Sequence, residues 1–256
     1  MKWFLIACCA VGVSWASPIE SPRILQPKEE MGDDLFEGDM DLTEEQKNSL
    51  FDGLVDIRTG LLNEKYRWPN KTLIYDFAED VNTEQRDWIE KGLQNIASNT
   101  CLKFVRRTTE KGYVLVTTNS TGCSSNVGRR GDRQLLKLKN AKLGSGCFKF
   151  GTIIHEFIHA LGFYHAQSAY NRDEYVTINW ENIEPGHEHN FEIRDNKTTT
   201  MYDLEYDYGS VMHYSATSFS VNGKPTIVPA QDGVVIGQRE KMSDLDIERI
   251  KRMYKC

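Results

Sequence analysis

The sequence predicts an α+β fold: a sheet-bearing first half, then an irregular second half that ends in a helix. Three observations predict it. Short β-type runs bracket an amphipathic helical stretch between residues 72 and 107, an order that makes a right-handed crossover and a partly parallel sheet. A second helical stretch begins at Phe150 and gathers three of the chain's six histidines. Beyond Asp173 the periodicity fades into turns until "SDLDIERIKRMY" near the end. With 256 residues and 39% hydrophobic content, the chain can bury a substantial core.

Taken in order, residues 1–16 stand apart. One lysine precedes an apolar run from Trp3 to Val13, and the small residues Ser14 and Ala16 sit at −3 and −1 of a cut. This is the pattern of a secretory signal peptide, too short for a membrane span. Residues 17–58 form an acidic leader, with 12 acidic against 4 basic residues, whereas the chain from Thr59 onward carries 25 against 26. Its proline-bearing first part has little apolar patterning. Its second part, "DLTEEQKNSLFDGLVDIR", places Thr43 and Gln46 at capping-box spacing before Leu50 and Phe51. Arg58, at the break in composition, is the expected cut for a trypsin-like enzyme.

From Thr59 to Cys256 the chain reads as one domain. Strands are expected at "TLIYDF" (72–77), "LKFVRR" (102–107), "YVLVTT" (113–118) and "QLLKL" (134–138). Between the first two, Asn82 caps a helix with Gln85 three residues on, and Trp88, Ile89, Leu93 and Ile96 share a face. At the end Ser243 caps a helix that turns Ile247, Ile250 and Tyr254 inward.

Cys8 and Cys9 leave with the signal, so Cys101, Cys123, Cys147 and Cys256 remain. In an oxidising compartment they make two disulfides, for which sequence alone permits three connectivities. Asn70, Asn119 and Asn196 each open a glycosylation sequon. No basic stripe points to nucleic acid and no cationic amphipathic helix to a membrane surface.

The stretch "FGTIIHEFIHALGFYH" carries the chemistry. His155 and His159 are one helical turn apart on the same face and can hold one cation. Gly162 can adopt the left-handed conformation that ends a helix, so His165 can return to the same metal. Three neutral imidazoles leave a fourth position open, as in catalytic zinc sites. Glu156, beside the first ligand, is placed to accept a proton from a metal-activated water. A core helix with satisfied imidazoles explains any one of these residues but not the set. A chance match to His-Glu-x-x-His-x-x-Gly-x-x-His is on the order of one in 10⁵.

The pairing of "HEFIHALGFYH" with "SVMHY", a methionine turn at Met212, resembles the astacin family of secreted zinc endopeptidases. "RWPNKTLIYDF", "GCSSNVGR" and "GQREKMSDLDIERIKRMYKC" are similar too, so the likeness spans Thr59–Cys256. It implies a metzincin two-subdomain fold with a twisted, mostly parallel sheet and a minimal organisation of signal peptide, propeptide and catalytic domain. It implies one Zn2+ per chain on His155, His159 and His165, Glu156 as general base, and Tyr214 as an oxyanion donor. It also implies disulfides Cys101–Cys256 and Cys123–Cys147. In the leader, Phe36-x-Gly38-Asp39 resembles the family's aspartate switch, with Asp39 on the zinc until cleavage near Arg58. Arg239 matches an arginine that in some relatives favours acidic residues after the cut; a plain surface arginine is the alternative.

One departure stands out. Ala166 occupies the place of a family glutamate that meets the newly made N-terminus, and Ala169, Tyr170 and Asn171 replace the next group. A buried ammonium without its partner costs several kcal/mol, so the new N-terminus is expected not to be buried as a charge there. His187 and His189 have no third ligand and read as a solvated loop. The expected partners are protein or peptide substrates and an activating trypsin-like protease, without nucleic acid or membrane, for a secreted monomer. The rival reading is a catalytically silent, zinc-stabilised extracellular binding protein, against which an intact Glu156 argues.

Overall fold

A computed structural model describes residues 35–52, 64–193 and 202–256. The expected signal peptide, the leader before Leu35, Arg58 and Asn196 lie outside the described residues.

The main sheet has six strands in the order β1-β5-β6-β4-β2-β3. These are β1 (Met40–Asp41), β2 (Thr72–Phe77), β3 (Lys103–Arg106), β4 (Tyr113–Thr117), β5 (Cys123–Asn126) and β6 (Arg133–Leu138). Only the β5–β6 pair is antiparallel. The four strands expected from alternation form within a residue of their expected ends. β5 has no counterpart among them, because Ser124, Ser125 and Asn126 carry turn chemistry rather than β-type side chains. Burial on both faces and pairing on both edges hold it extended nonetheless.

Helix α1 (Glu44–Asp52) begins with Thr43 and Gln46 exchanging side-chain-to-backbone bonds. Helix α2 (Thr83–Asn99) begins with the same reciprocal box between Asn82 and Gln85. On α2, Ile89, Leu93 and Ile96 are buried, and Trp88 is half-buried, donating to the Phe148 carbonyl at 3.0 Å. Helix α3 (Phe150–Leu161) is buried from Gly151 to Leu161 and packs on α2 and the sheet. Gly92 lets the two helices approach closely: a Cβ there would lie 3.1 Å from Ile153 Cγ2.

The second half is not wholly irregular. β7 (Val176–Ile178) and β8 (Ile227–Pro229) pair antiparallel as a small second sheet. Its core is a second cluster around Val176, Phe191, Tyr206, Tyr214 and Ile227. The chain closes with α4 (Asp244–Tyr254), capped by Ser243 and Asp246. Ile250 and Tyr254 are buried and Ile247 is partly buried against the core. Cys101 bonds Cys256, tying the end of the chain to the foot of β3, and Cys123 bonds Cys147.

Candidate active site

Helix α3 stops where its sequence demands. Gly162 sits at φ 110, and its N–H bonds to the His159 carbonyl while that of Phe163 bonds to Ile158. That left-handed turn satisfies the last carbonyls and reverses the chain so that His165 returns beside the helix. Gly128 N–H, the Trp68 indole and the Tyr254 hydroxyl donate to the carbonyls of His159, Ala160 and Leu161. The ligand-bearing end of the helix is therefore held on three sides.

His155, His159, His165 and the leader's Asp39 converge, with their ligand atoms within 4.8 Å of one another. The Nε2 atoms of His155 and His159 are 3.0 Å apart, and those of His155 and His165 are 3.3 Å apart. Asp39 Oδ2 is 3.1 Å from both His155 and His165 Nε2, and Oδ1 is 3.4 Å from His159 Nε2. Four tetrahedral bonds of about 2.0 Å place ligand atoms about 3.3 Å apart, so the spacing suits zinc.

The hydrogen bonds make the same point. His155 Nδ1–H donates to the Val211 carbonyl at 2.8 Å, and His159 Nδ1–H to the Phe163 carbonyl at 2.7 Å. A carbonyl only accepts, so Nδ1 carries a proton on both rings, and in the metal-binding form each turns an Nε2 lone pair inward. Buried lone pairs facing each other repel unless a cation lies between them. From these side chains alone, burial opposes the charge on Asp39, but His165 and His159 outweigh it and hold the carboxyl well below its usual range. Burial also opposes a charged His165, which Asp39 and Glu37 overcome, raising it to about 9. Burial, reinforced by Arg239, holds His155 well below its usual value. One proton on His165 leaves the His155–His159 pair unrelieved, so a divalent cation fits this donor set.

Glu156 lies on α3 next to the first ligand and is 1% exposed. The methionine turn ties the ligands together through its backbone: Val211 C=O takes the His155 ring, and Met212 C=O takes the N–H of Ala166, next to the third ligand. Tyr214 is fully buried, its ring centroid 4.7 Å from that of His165. Its hydroxyl donates to the Glu37 carbonyl at 2.6 Å, and its N–H to Gln167 Oε1.

The leader reaches the site through a tight turn. Phe36 and Met40 exchange backbone bonds of 3.0 Å around Glu37, Gly38 and Asp39, with Gly38 at φ 77. Met40 and Leu42 enter the main core, and β1 runs parallel to β5. Arg130 and Asn126 hold the Asp41 carbonyl, and Gln46 holds that of Val127.

Arg239 is not a surface residue. It is 9% exposed, and its Nη1 donates to the carbonyls of His213 and Gln238 at 3.0 Å. The surface alternative is thereby corrected: a charged group at this depth needs partners, and two backbone carbonyls are aimed at it. His187 and His189 stack on each other at 6.3 Å, and His187 on Phe219 at 4.8 Å. Among the described residues neither belongs to a metal-ligating group. Asn70 and Asn119 are exposed.

Sequence reasoning misses three contributors. Glu37 is only the variable position of the Phe36-x-Gly38-Asp39 motif. Ser168 gives no signal. His213 is visible within "SVMHY", and its neutral ring links the Tyr206 hydroxyl (2.6 Å) to the Tyr214 carbonyl (2.8 Å).

A zinc-type histidine triad on and just beyond one helix, with a methionine turn beside it, defines a metallopeptidase of the metzincin type. The family model for Astacin, a peptidase family, matches residues 61–255. Seminal metalloprotease 1 of Drosophila melanogaster is 41% identical over 207 residues, covering 78% of this chain and 82% of that protein. Meprin A subunit beta of Homo sapiens is 35% identical over an alignment covering 100% of this chain and 36% of that protein. Among solved structures, High choriolytic enzyme 1, a hatching enzyme zinc-protease from Oryzias latipes, matches with a TM-score of 0.70 at 38% identity. That match covers 76% of this chain and 96% of that one. The chain belongs to the astacin family of zinc metallopeptidases. It spans most of the fly relative and about a third of the meprin subunit.

Proposed function

We propose that this chain is a secreted endopeptidase made as a latent precursor, with the leader seated in its active site until a trypsin-like enzyme cuts near Arg58. The observation that carries this reading is that one short turn of the leader engages both halves of the machinery: Asp39 meets the three histidines and the Glu37 carbonyl takes the Tyr214 hydroxyl. The leader also occupies the free edge of β5, where an extended peptide could add as a strand. Among the described residues no helix is long and apolar enough to cross a membrane.

In the released enzyme, zinc on His155, His159 and His165 supplies Lewis acidity for a water and a peptide carbonyl. Glu156 takes the proton from that water and passes it to the leaving amine. Tyr214, freed from Glu37, donates its hydroxyl to the carbonyl oxygen as charge builds there. No covalent intermediate with the protein is needed.

The test is cleavage of a quenched peptide library before and after mild trypsin. Activity should emerge on nicking, vanish with a chelator, and fall roughly 10²–10⁴-fold in Glu156→Ala. Silence despite nicking and full zinc would favour a zinc-stabilised binding protein. The same library reports on Arg239: if it selects acidic residues after the cut, Arg239→Ala should lose that preference. Its bond to His213 makes a loss of stability part of the same outcome.

We also propose that the new N-terminus is not buried as a charge beside Ala166. Ala166 lines a largely apolar cavity with Ile158, Phe163 and Met212, and Arg249 faces the same space. Asp246, on its wall, is already engaged by Ser210, Val211 and Ser243. Activity should therefore tolerate ragged ends between Arg58 and Gly60. An absolute requirement for one N-terminal residue would refute this.

A further inference from the structure

The three histidines are not oriented alike. His155 and His159 each give their Nδ1–H to a backbone carbonyl of the catalytic domain, from Val211 and Phe163. His165 gives its Nδ1–H to a side chain of the leader: Glu37 Oε2, at 2.8 Å. The other oxygen, Oε1, accepts from the Ser168 hydroxyl at 2.9 Å. Glu37 and Ser168 are both fully buried, so the carboxylate's remaining charge is shared with an imidazole rather than with water. A carboxylate behind a ligating imidazole fixes the ring and strengthens its donor nitrogen more than a carbonyl does.

The backbone at this residue points the same way. Glu37 sits at φ 47, in the left-handed region that a side chain with a Cβ rarely adopts. Such a conformation persists where surrounding contacts enforce it. Among the described residues, the contacts include the His165 and Ser168 bonds to its side chain and the Tyr214 bond to its carbonyl.

We propose that Glu37 is a positioning residue of the latent metal site: the leader supplies both Asp39, aimed at the metal, and the carboxylate that orients the third ligand from behind. This rests on the latent-precursor reading above. It makes zinc and leader mutually stabilising, since whatever the leader adds to zinc affinity, zinc must add to leader affinity. Proteolysis then does two things at once. It opens the fourth position, and it withdraws the only charged partner that the described residues place on His165 Nδ1, so the released enzyme holds zinc less tightly than its precursor.

The test is zinc release from the uncleaved chain to an excess of a chromophoric chelator. Glu37→Ala should release zinc roughly 10- to 100-fold faster than the wild type. Glu37→Gln should fall between them, because the amide oxygen can still accept from His165 Nδ1–H and its NH2 can donate to a reoriented Ser168 hydroxyl, while the charge is lost. Cobalt-substituted uncleaved chains give a second readout: the visible spectrum should shift in Glu37→Ala, as expected for a reoriented His165. After cleavage at Arg58 and removal of the leader, wild type and Glu37→Ala are the same molecule and must release zinc alike. If they do not, the alanine variant failed to fold its domain, and Glu37→Gln decides. Release at the wild-type rate from both Glu37 variants, alongside faster release from Asp39→Ala, overturns the role of Glu37 and leaves latency intact. Equal release from wild type, Asp39→Ala and the cleaved enzyme removes the latent-precursor reading itself.

Discussion

Helix α3, with His155, Glu156 and His159, and residues 210–215, with Met212 and Tyr214, are both buried along nearly their whole length but are held by different forces. The helix is packed. Ile153, Ile154, Phe157 and Leu161 are fully buried, its first turn has no side-chain cap, and its end carbonyls are satisfied by donors from outside the helix. The other segment has no regular structure to satisfy its backbone, so side chains supply much of what it needs. Asp246 takes the Ser210 hydroxyl and the Val211 N–H, Arg239 takes the His213 carbonyl, and Gln167 takes the Tyr214 N–H. Apolar packing tolerates small losses of volume gradually. A buried polar network fails abruptly, because each lost partner strands another group out of reach of water.

The largest effect should therefore come from Asp246. Its carboxylate collects donors from Ser210 at 2.5 Å, Val211 at 2.8 Å and Ser243 at 3.0 Å, with Arg249 at 3.8 Å. Removing a partner from such a buried set costs about 3–5 kcal/mol, so Asp246→Ala should lose that much by chemical denaturation. Activity after nicking should fall as well, since Val211 carries the carbonyl behind His155. Retained stability would show that the methionine turn is held by packing after all.

His213 carries the pH response of the same wall. Burial, aided by Arg239, lowers its pKa to about 4 despite the Tyr214 carbonyl. The unfolded value is about 6.5, so below that pH the unfolded chain takes up a proton that the folded chain refuses. The contribution is complete above about pH 6.5 and is lost as pH falls toward 4, amounting to about 3 kcal/mol over that window. Denaturation at about pH 7 and about pH 4.5 should show a steeper loss for wild type than for His213→Gln. Parallel losses would mean that the acid sensitivity resides elsewhere.

The same contrast explains what can be read from the chain. Elements held by periodic apolar burial are legible: the β2–α2–β3 crossover, the boxes at Asn82 and Ser243, and the helix with its His-Glu-x-x-His spacing. Within the site, the ligands follow from helical geometry and one glycine. What is not legible is what side-chain bonds hold. β5 looks like a turn because Ser124–Asn126 lack β character, and Arg239 looks like a surface residue because nothing in "GQRE" reveals a carbonyl waiting for it. Glu37 meets His165 across 128 positions, a pairing that no local pattern encodes.

The smallest expected effect sharpens the comparison most, because it deletes a single heavy atom from each wall. Ile154→Val removes one methylene from a fully buried position on α3; Ile-to-Val changes typically cost about 0.5–1.5 kcal/mol. Ser210→Ala removes one hydroxyl that both donates to Asp246 and accepts from the Met212 N–H, leaving buried groups unpaired at about 1–3 kcal/mol. The hydroxyl should therefore cost more than the methylene, although it buries less apolar surface. Only Ser210→Ala should also lower kcat/KM after nicking, because its loss loosens Met212, whose carbonyl holds Ala166 beside the third ligand. Paired melts and rate measurements on the two variants check this. If Ile154→Val proves the costlier change, both walls are packed alike, and the hydrogen bonds around Ser210 accompany the arrangement rather than impose it.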